Sequence, residues 1–189
     1  MTCIVGLVHK GTIYMGADSA ATGGTDIKVR LDQKVFIVKD RFLVGFTDSF
    51  RMGQLLNFSL KPTLQKKTKS DYQYMCTDFI NSVRECFEDG GYMGKDKEDS
   101  EREEGGSFLV GYKGVLYEIE KDFQVGMNKD PFCSIGCGQD YAHGSLFTTA
   151  KLDLSPEERI TYALETATHF SAGVRPPFVL LQLPPPKKR

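Results

Sequence analysis

At 189 residues, with 40% hydrophobic and 26% charged residues, the chain has apolar content enough for a buried core and too much for a disordered protein. Lysine plus arginine numbers 24 against 25 acids, a net charge of -1, whereas a protein built on phosphate contacts is usually strongly basic, so nucleic acid is not an expected partner. No apolar run reaches bilayer length and no basic n-region opens the sequence, so neither membrane nor secretory signal is expected. The five cysteines (Cys3, Cys76, Cys86, Cys133, Cys137) form no C-x-x-C pair and suit reduced thiols in a cytoplasmic setting. His9, His143 and His169 lack zinc spacing, so no metal or other cofactor is expected.

In chain order, residues 2–8 and 12–17 are apolar runs joined by Lys10-Gly11, the pattern of a hairpin. Val35–Val38 and Phe42–Phe46 predict a second pair around Lys39-Asp40-Arg41. The period then changes. Met52, Leu55, Leu56 and Ser59 suit one helix face that ends before Lys61-Pro62, and Tyr72, Met75, Phe79, Ile80, Val83 and Phe87 step by three and four up to Gly90-Gly91. From Lys95 to Glu104 nine of ten residues are charged, which reads as a solvated loop within 93–106. Strands are predicted at 107–112 and 115–119, and a third helix at 138–150. A fourth helix has a written start, Ser155-Pro156 with Glu158, and a stripe of Ile160, Ala163, Leu164, Ala167 and Phe170. An apolar strand over 178–183 precedes a tail, 184–189, expected to be disordered. Strands, two helices, strands, two helices and a strand predict an α+β fold, a four-layer αββα sandwich in one domain over 1–183.

Three residues invite a chemical reading together: Thr2, Asp18 at the end of the second strand, and Lys34 before the third. Singly, they read as an early strand residue, a turn residue and a solvated strand end. Together they can do more. Removal of Met1 would leave a hydroxyl and a free α-amine on Thr2, and an amine with an unperturbed pKa of about 8 can accept a proton near neutrality. One residue then supplies nucleophile and base. An ammonium at Lys34 would favour the ionised hydroxyl, and Asp18 would orient that lysine.

The segments Thr2-Cys3-Ile4-Val5-Gly6, Gly16-Ala17-Asp18-Ser19-Ala20-Ala21-Thr22, Lys34-Val35 and Gly45-Phe46 resemble the proteasome β-subunit superfamily, most nearly the HslV peptidases and the proteasome-like hydrolases of some bacteria and phages. Asp18 and Lys34 follow Thr2 by sixteen and thirty-two residues, in agreement with that family. The resemblance spans roughly residues 2–183 and is most specific in the first fifty. It implies an N-terminal nucleophile (Ntn) hydrolase, a threonine-type peptidase with Thr2 as nucleophile, its amine as base, Lys34 as electrostatic activator and Asp18 as the lysine's partner. It further implies a homo-oligomer, a peptide or protein substrate, an ATP-dependent unfoldase partner, and a substrate pocket near Ala21, Asp32, Phe46 and Phe50.

The sequence departs from the family at three places. Asp48 stands where a glycine donates its backbone N–H to the oxyanion; a backbone donor survives any residue but proline, and the carboxylate is expected to cap the following helix. Cys137, in Ile135-Gly136-Cys137-Gly138, stands where a serine belongs to the catalytic set. It reads as a buried structural thiol, a serine substitute or a separate reactive group, with the substitute favoured. Thr168-His169-Phe170-Ser171-Ala172-Gly173 keeps the family's serine but not its aspartate, and His169 is expected to be structural or exposed. Two other functions stay open: an Ntn amidase acting on a small amide, and a non-catalytic scaffold subunit. A shell subunit has no need of a buried lysine, so Asp18 with Lys34 leans towards catalysis.

Overall fold

A computed structural model describes residues 1–23, 25–93 and 105–186. The charged stretch 95–104 and tail residues 187–189 lie outside the described residues, whereas 184–186 are exposed and without regular structure. The first hairpin is as expected. β1 (Cys3–His9) and β2 (Thr12–Ala17) pair around Lys10 and Gly11, both with left-handed φ (49° and 79°), the turn whose twist matches that of paired strands.

A small hairpin follows, β3 (Ala20–Gly23) with β4 (Asp26–Val29). The remaining strands are β5 (Val35–Val38), β6 (Phe42–Phe46), β7 (Phe108–Tyr112), β8 (Val115–Ile119), β9 (Val125–Gly126), β10 (Phe132–Gly136) and β11 (Val179–Leu183). They form an antiparallel sheet in the order β10-β1-β2-β11 and a second in chain order from β5 to β9.

Successive β1 side chains point to opposite faces, and that alternation builds the layers. Cys3, Val5 and Leu7 pack with Ile160, Ala163 and Leu164 of a helix, while Ile4 packs with Met15, Val35, Leu43 and Leu109 between the sheets. The outer layer on the first sheet is α4 (Gln139–Thr149) and α5 (Pro156–Phe170). The layer on the second is α1 (Phe50–Phe58) with the continuous run of α2 (Asp71–Tyr74), a π-turn (Met75–Phe79) and α3 (Ile80–Asp89), joined to it by Phe42, Phe46, Met52, Leu56, Phe79 and Phe87. This is the expected α+β, four-layer αββα sandwich. The sheets meet closely: a Cβ on Gly45 would lie 2.6 Å from both Ile4 and Met15.

The capping box is formed in full, Ser155 Oγ accepting from Glu158 N (3.2 Å) and Glu158 Oε2 from Ser155 N (2.8 Å). Elsewhere the helices differ from the reading. Tyr72 is exposed and Tyr74 buried, because the π-turn adds one residue and rotates the stripe before it. Phe170 is 62% exposed, stacked on Tyr141 rather than buried. α1 stops at Phe58, so Ser59 is its C-cap and Leu60 fills the core position.

Candidate active site

Asp18 directly follows β2, and its buried carboxylate collects four donors that lie from 2 to 157 residues away in the chain. Oδ1 accepts from Lys34 Nζ (2.8 Å) and Cys3 N (3.0 Å). Oδ2 accepts from Ala20 N (2.9 Å) and Arg175 N (3.2 Å). Lys34 lies just before β5, where its carbonyl accepts from Phe46 N (3.1 Å) and so ties it to β6. Only 1% of its side chain is exposed, and burying an ammonium costs several kcal/mol unless it is paired. Burial pushes the Lys34 pKa below its ordinary value of 10.5, and the Asp18 carboxylate opposes that shift.

Thr2 is buried immediately ahead of β1, and its hydroxyl donates to the Met1 carbonyl (2.7 Å). Cys3 N belongs to the peptide joining Thr2 to Cys3. One carboxylate oxygen therefore links the Lys34 ammonium to the backbone of Thr2. The structure brings these three sequence-predicted residues together. Cys3, fully buried beside them, has its thiol pKa raised, chiefly by burial.

The Asp48 cap is a correction. Ser49 caps α1, its hydroxyl accepting from Met52 N (3.3 Å), because Asp48 has a φ of +62° and cannot supply the extended conformation of an N-cap. The Asp48 carboxylate instead accepts from Ser107 N (3.1 Å). Among the described residues nothing accepts from the Asp48 backbone N–H, which leaves that donor free. The left-handed φ suits glycine and is tolerated by aspartate better than by most residues.

Cys137, after β10, is exposed, which removes the reading as a buried structural thiol; its Sγ lies 3.6 Å from Ser171 Oγ. The preceding Gly136 has φ of +95°, and a Cβ there would fall 2.2 Å from the Thr2 carbonyl oxygen. The end of β10 thus passes too close to Thr2 for any side chain. A Cβ on Gly173 would in turn lie 2.5 Å from Met1 Cβ and 3.0 Å from Cys137 Sγ, so Met1, Cys137, Ser171 and Gly173 share one neighbourhood.

A pocket of about 280 Å³ adjoins the site, lined by Asp32, Phe36, Phe46 and Phe50 among others. Lys34 Nζ is 6.0 Å from the Phe50 ring centroid. Ala21 is not among the lining residues; it sits on β3 opposite Lys28. Sequence reasoning missed two participants. Arg30 forms a two-pronged pair with Asp32, both contacts 2.6 Å, and only its spacing from Asp32 could have marked it. Arg175 contributes a backbone N–H, which no side-chain pattern reveals.

No protein-family model and no curated protein matches the chain. Solved structures do. BPH of Thiobacillus denitrificans superposes with a TM-score of 0.78 at 17% identity, over 99% of this chain and all of that one. The same protein in complex with epoxomicin gives 0.76. Eukaryotic HslV from Trypanosoma brucei gives 0.67 at 18% identity, over 97% of this chain and 99% of that one. An Anbu (Gly-1) mutant from Hyphomicrobium sp. strain MC1 gives 0.65 at 18%, over 95% of this chain and 80% of that one.

The chain has the proteasome-type Ntn-hydrolase fold.

At these identities the likeness is one of backbone, and the chemistry within the Ntn-hydrolase fold is this chain's own. Its β1–β2 hairpin carries Thr2 and Asp18 at neighbouring strand ends, since Ile4 pairs with Ala17. His169 is exposed and packs edge-on against Phe170 (4.6 Å between centroids), away from any polar partner among the described residues.

Proposed function

We propose that the protein is a threonine-type peptidase acting through Thr2 once Met1 is removed. The observation that carries this reading is the Asp18 oxygen shared by Lys34 Nζ and Cys3 N, which sets a buried ammonium against the peptide of a hydroxyl residue. Loss of Met1 removes the carbonyl to which the hydroxyl now donates and frees the amine. Thr2 Oγ1 then attacks the substrate carbonyl carbon while the amine takes its proton, Lys34 favouring the ionised oxygen and opposing protonation of the amine by charge repulsion. The Asp48 N–H stabilises the oxyanion, and the amine returns the proton to the leaving nitrogen. Water hydrolyses the resulting ester. Cys137, beside Ser171, takes the serine's place as a weaker polar neighbour.

Intact mass and labelling test this. Active protein is expected to lack the Met1 mass, to cleave fluorogenic peptides and to react with an epoxyketone at Thr2, whereas Thr2→Ala does neither. Full activity in protein that retains Met1 would exclude the mechanism. A phenylalanine-walled pocket beside the lysine favours a peptide side chain over a small amide as substrate.

The reading includes self-assembly, with residues 48–60 and 70–89 among the contacts, in a cytoplasmic enzyme fed by an ATP-dependent unfoldase. Phe58 (82% exposed) and Tyr72 (46%) supply apolar surface in these two segments, and no helix of the described residues is long and apolar enough to cross a membrane. Light scattering at tens of micromolar is expected to return a multiple of the chain mass; a sharp monomer would contradict it.

A further inference from the structure

Arg30 follows β4 and is held in three ways. Its backbone N–H donates to the Ser19 carbonyl (2.9 Å), beside the Asp18 turn. Its Nε and Nη2 donate to the two oxygens of Asp32, each at 2.6 Å. Its guanidinium carbon lies 4.0 Å from the Phe50 ring centroid, within reach of the ring's negative face. A planar fork on a carboxylate, backed by an aromatic ring, is a geometry that arginine fills and lysine does not. The Asp32 carboxyl is accordingly held below its usual range, first by the hydrogen bonds from Arg30.

This matters because of what else lines the pocket. Besides apolar residues such as Phe36, Phe46 and Phe50, its walls carry the neutral amides Gln33, Gln54 and Asn57, and among the described residues Asp32 is the only ionisable one that lines it. Left alone, that carboxylate would draw a lysine or arginine side chain. With a guanidinium donor already on each of its oxygens, Asp32 offers an entering cation a compensated charge, and that cation meets the like charge of Arg30.

We infer that Arg30 is the specificity-determining residue of this pocket: by occupying Asp32 it makes the pocket neutral, suited to an aliphatic or aromatic side chain of a peptide and closed to basic ones. The inference rests on the peptidase reading for the peptide, but its test does not depend on turnover. Dye-labelled capped peptides that differ at one side chain (leucine, phenylalanine, lysine or arginine) are titrated by fluorescence anisotropy against Thr2→Ala protein. Leucine and phenylalanine peptides are expected to bind about tenfold more tightly than lysine and arginine peptides. Adding Arg30→Gln should abolish or reverse that ratio, and Asp32→Asn on top of it should restore the apolar preference. Asp32→Asn alone, which leaves the arginine, should keep or sharpen the preference, and it serves if Arg30→Gln does not fold. An unchanged ratio in Arg30→Gln, a basic preference with Arg30 present, a lost apolar preference in Asp32→Asn, or no binding of any peptide would overturn the assignment. A shifted ratio without hydrolysis by the Thr2 protein would keep Arg30's role and remove the peptidase reading; hydrolysis with an unshifted ratio would do the reverse.

Discussion

Lys34→Ala is expected to lower peptide hydrolysis about a hundred- to a thousand-fold, the loss of roughly 3 to 4 kcal/mol that follows deletion of a preorganised electrostatic group. The geometry puts that effect on the chemical step. Asp18 Oδ1 is the ammonium's only hydrogen-bond acceptor among the described residues, which leaves two of its three donors for nucleophile or substrate. Lys34→Arg is not expected to rescue, because a longer planar group cannot occupy a site shaped around a point charge that is 1% exposed. Turnover of a fluorogenic peptide panel by the assembled protein measures this, and wild-type rates in Lys34→Ala would refute the role. The pH profile carries the same information. Burial lowers the Lys34 pKa, so the charged lysine is lost, and activity should fall, on an alkaline limb below 10.5 that is absent from the residual activity of Lys34→Ala. For stability the sign is opposite. Between the lowered pKa and 10.5 the unfolded chain binds more protons at this group, so its contribution to stability rises with pH there.

Asp18→Ala is expected to cost about 3 to 5 kcal/mol of stability, since it strands a buried ammonium. Three backbone N–H groups, those of Cys3, Ala20 and Arg175, lose their acceptor in the same substitution. For a chain of this size that corresponds to a fall in Tm of roughly 6 to 20 °C. Asp18→Ala with Lys34→Ala should lose less than the sum of the singles, because the second change removes the stranded charge. Calorimetry of the three variants decides it: additive losses, or a Tm within about 2 °C of wild type for Asp18→Ala, would show that the pair is not coupled as drawn.

Much of this was legible in the sequence because it rests on local chemistry. Lys10-Gly11 has the conformation its hairpin requires, and Ser155-Pro156 with Glu158 starts a helix as written. Thr2, Asp18 and Lys34 could be grouped from their places at the ends of readable strands, together with the family resemblance of the segments that carry them. What escaped notice has physical causes. All four residues of β4 are exposed, so the β3–β4 hairpin has no buried alternation to detect. The two residues of β9 are too few for any period, and β10 lay hidden in a stretch read for its glycines. The exposure of Tyr72 depends on a π-turn, an insertion that periodicity assumes away. At the site, the backbone N–H of Arg175 and the φ of Asp48 are set by tertiary structure and leave no trace in residue type.

The four donors to Asp18 also impose an order in time. Cys3, Ala20 and Lys34 leave the ribosome early, but the fourth donor lies 157 residues beyond the carboxylate, just ahead of the strand that flanks β2. A nascent chain that has not reached residues 175–183 has neither that donor nor the edge that shields the end of β2. The surroundings of Asp18 are therefore completed only once residues 175–183 are in place.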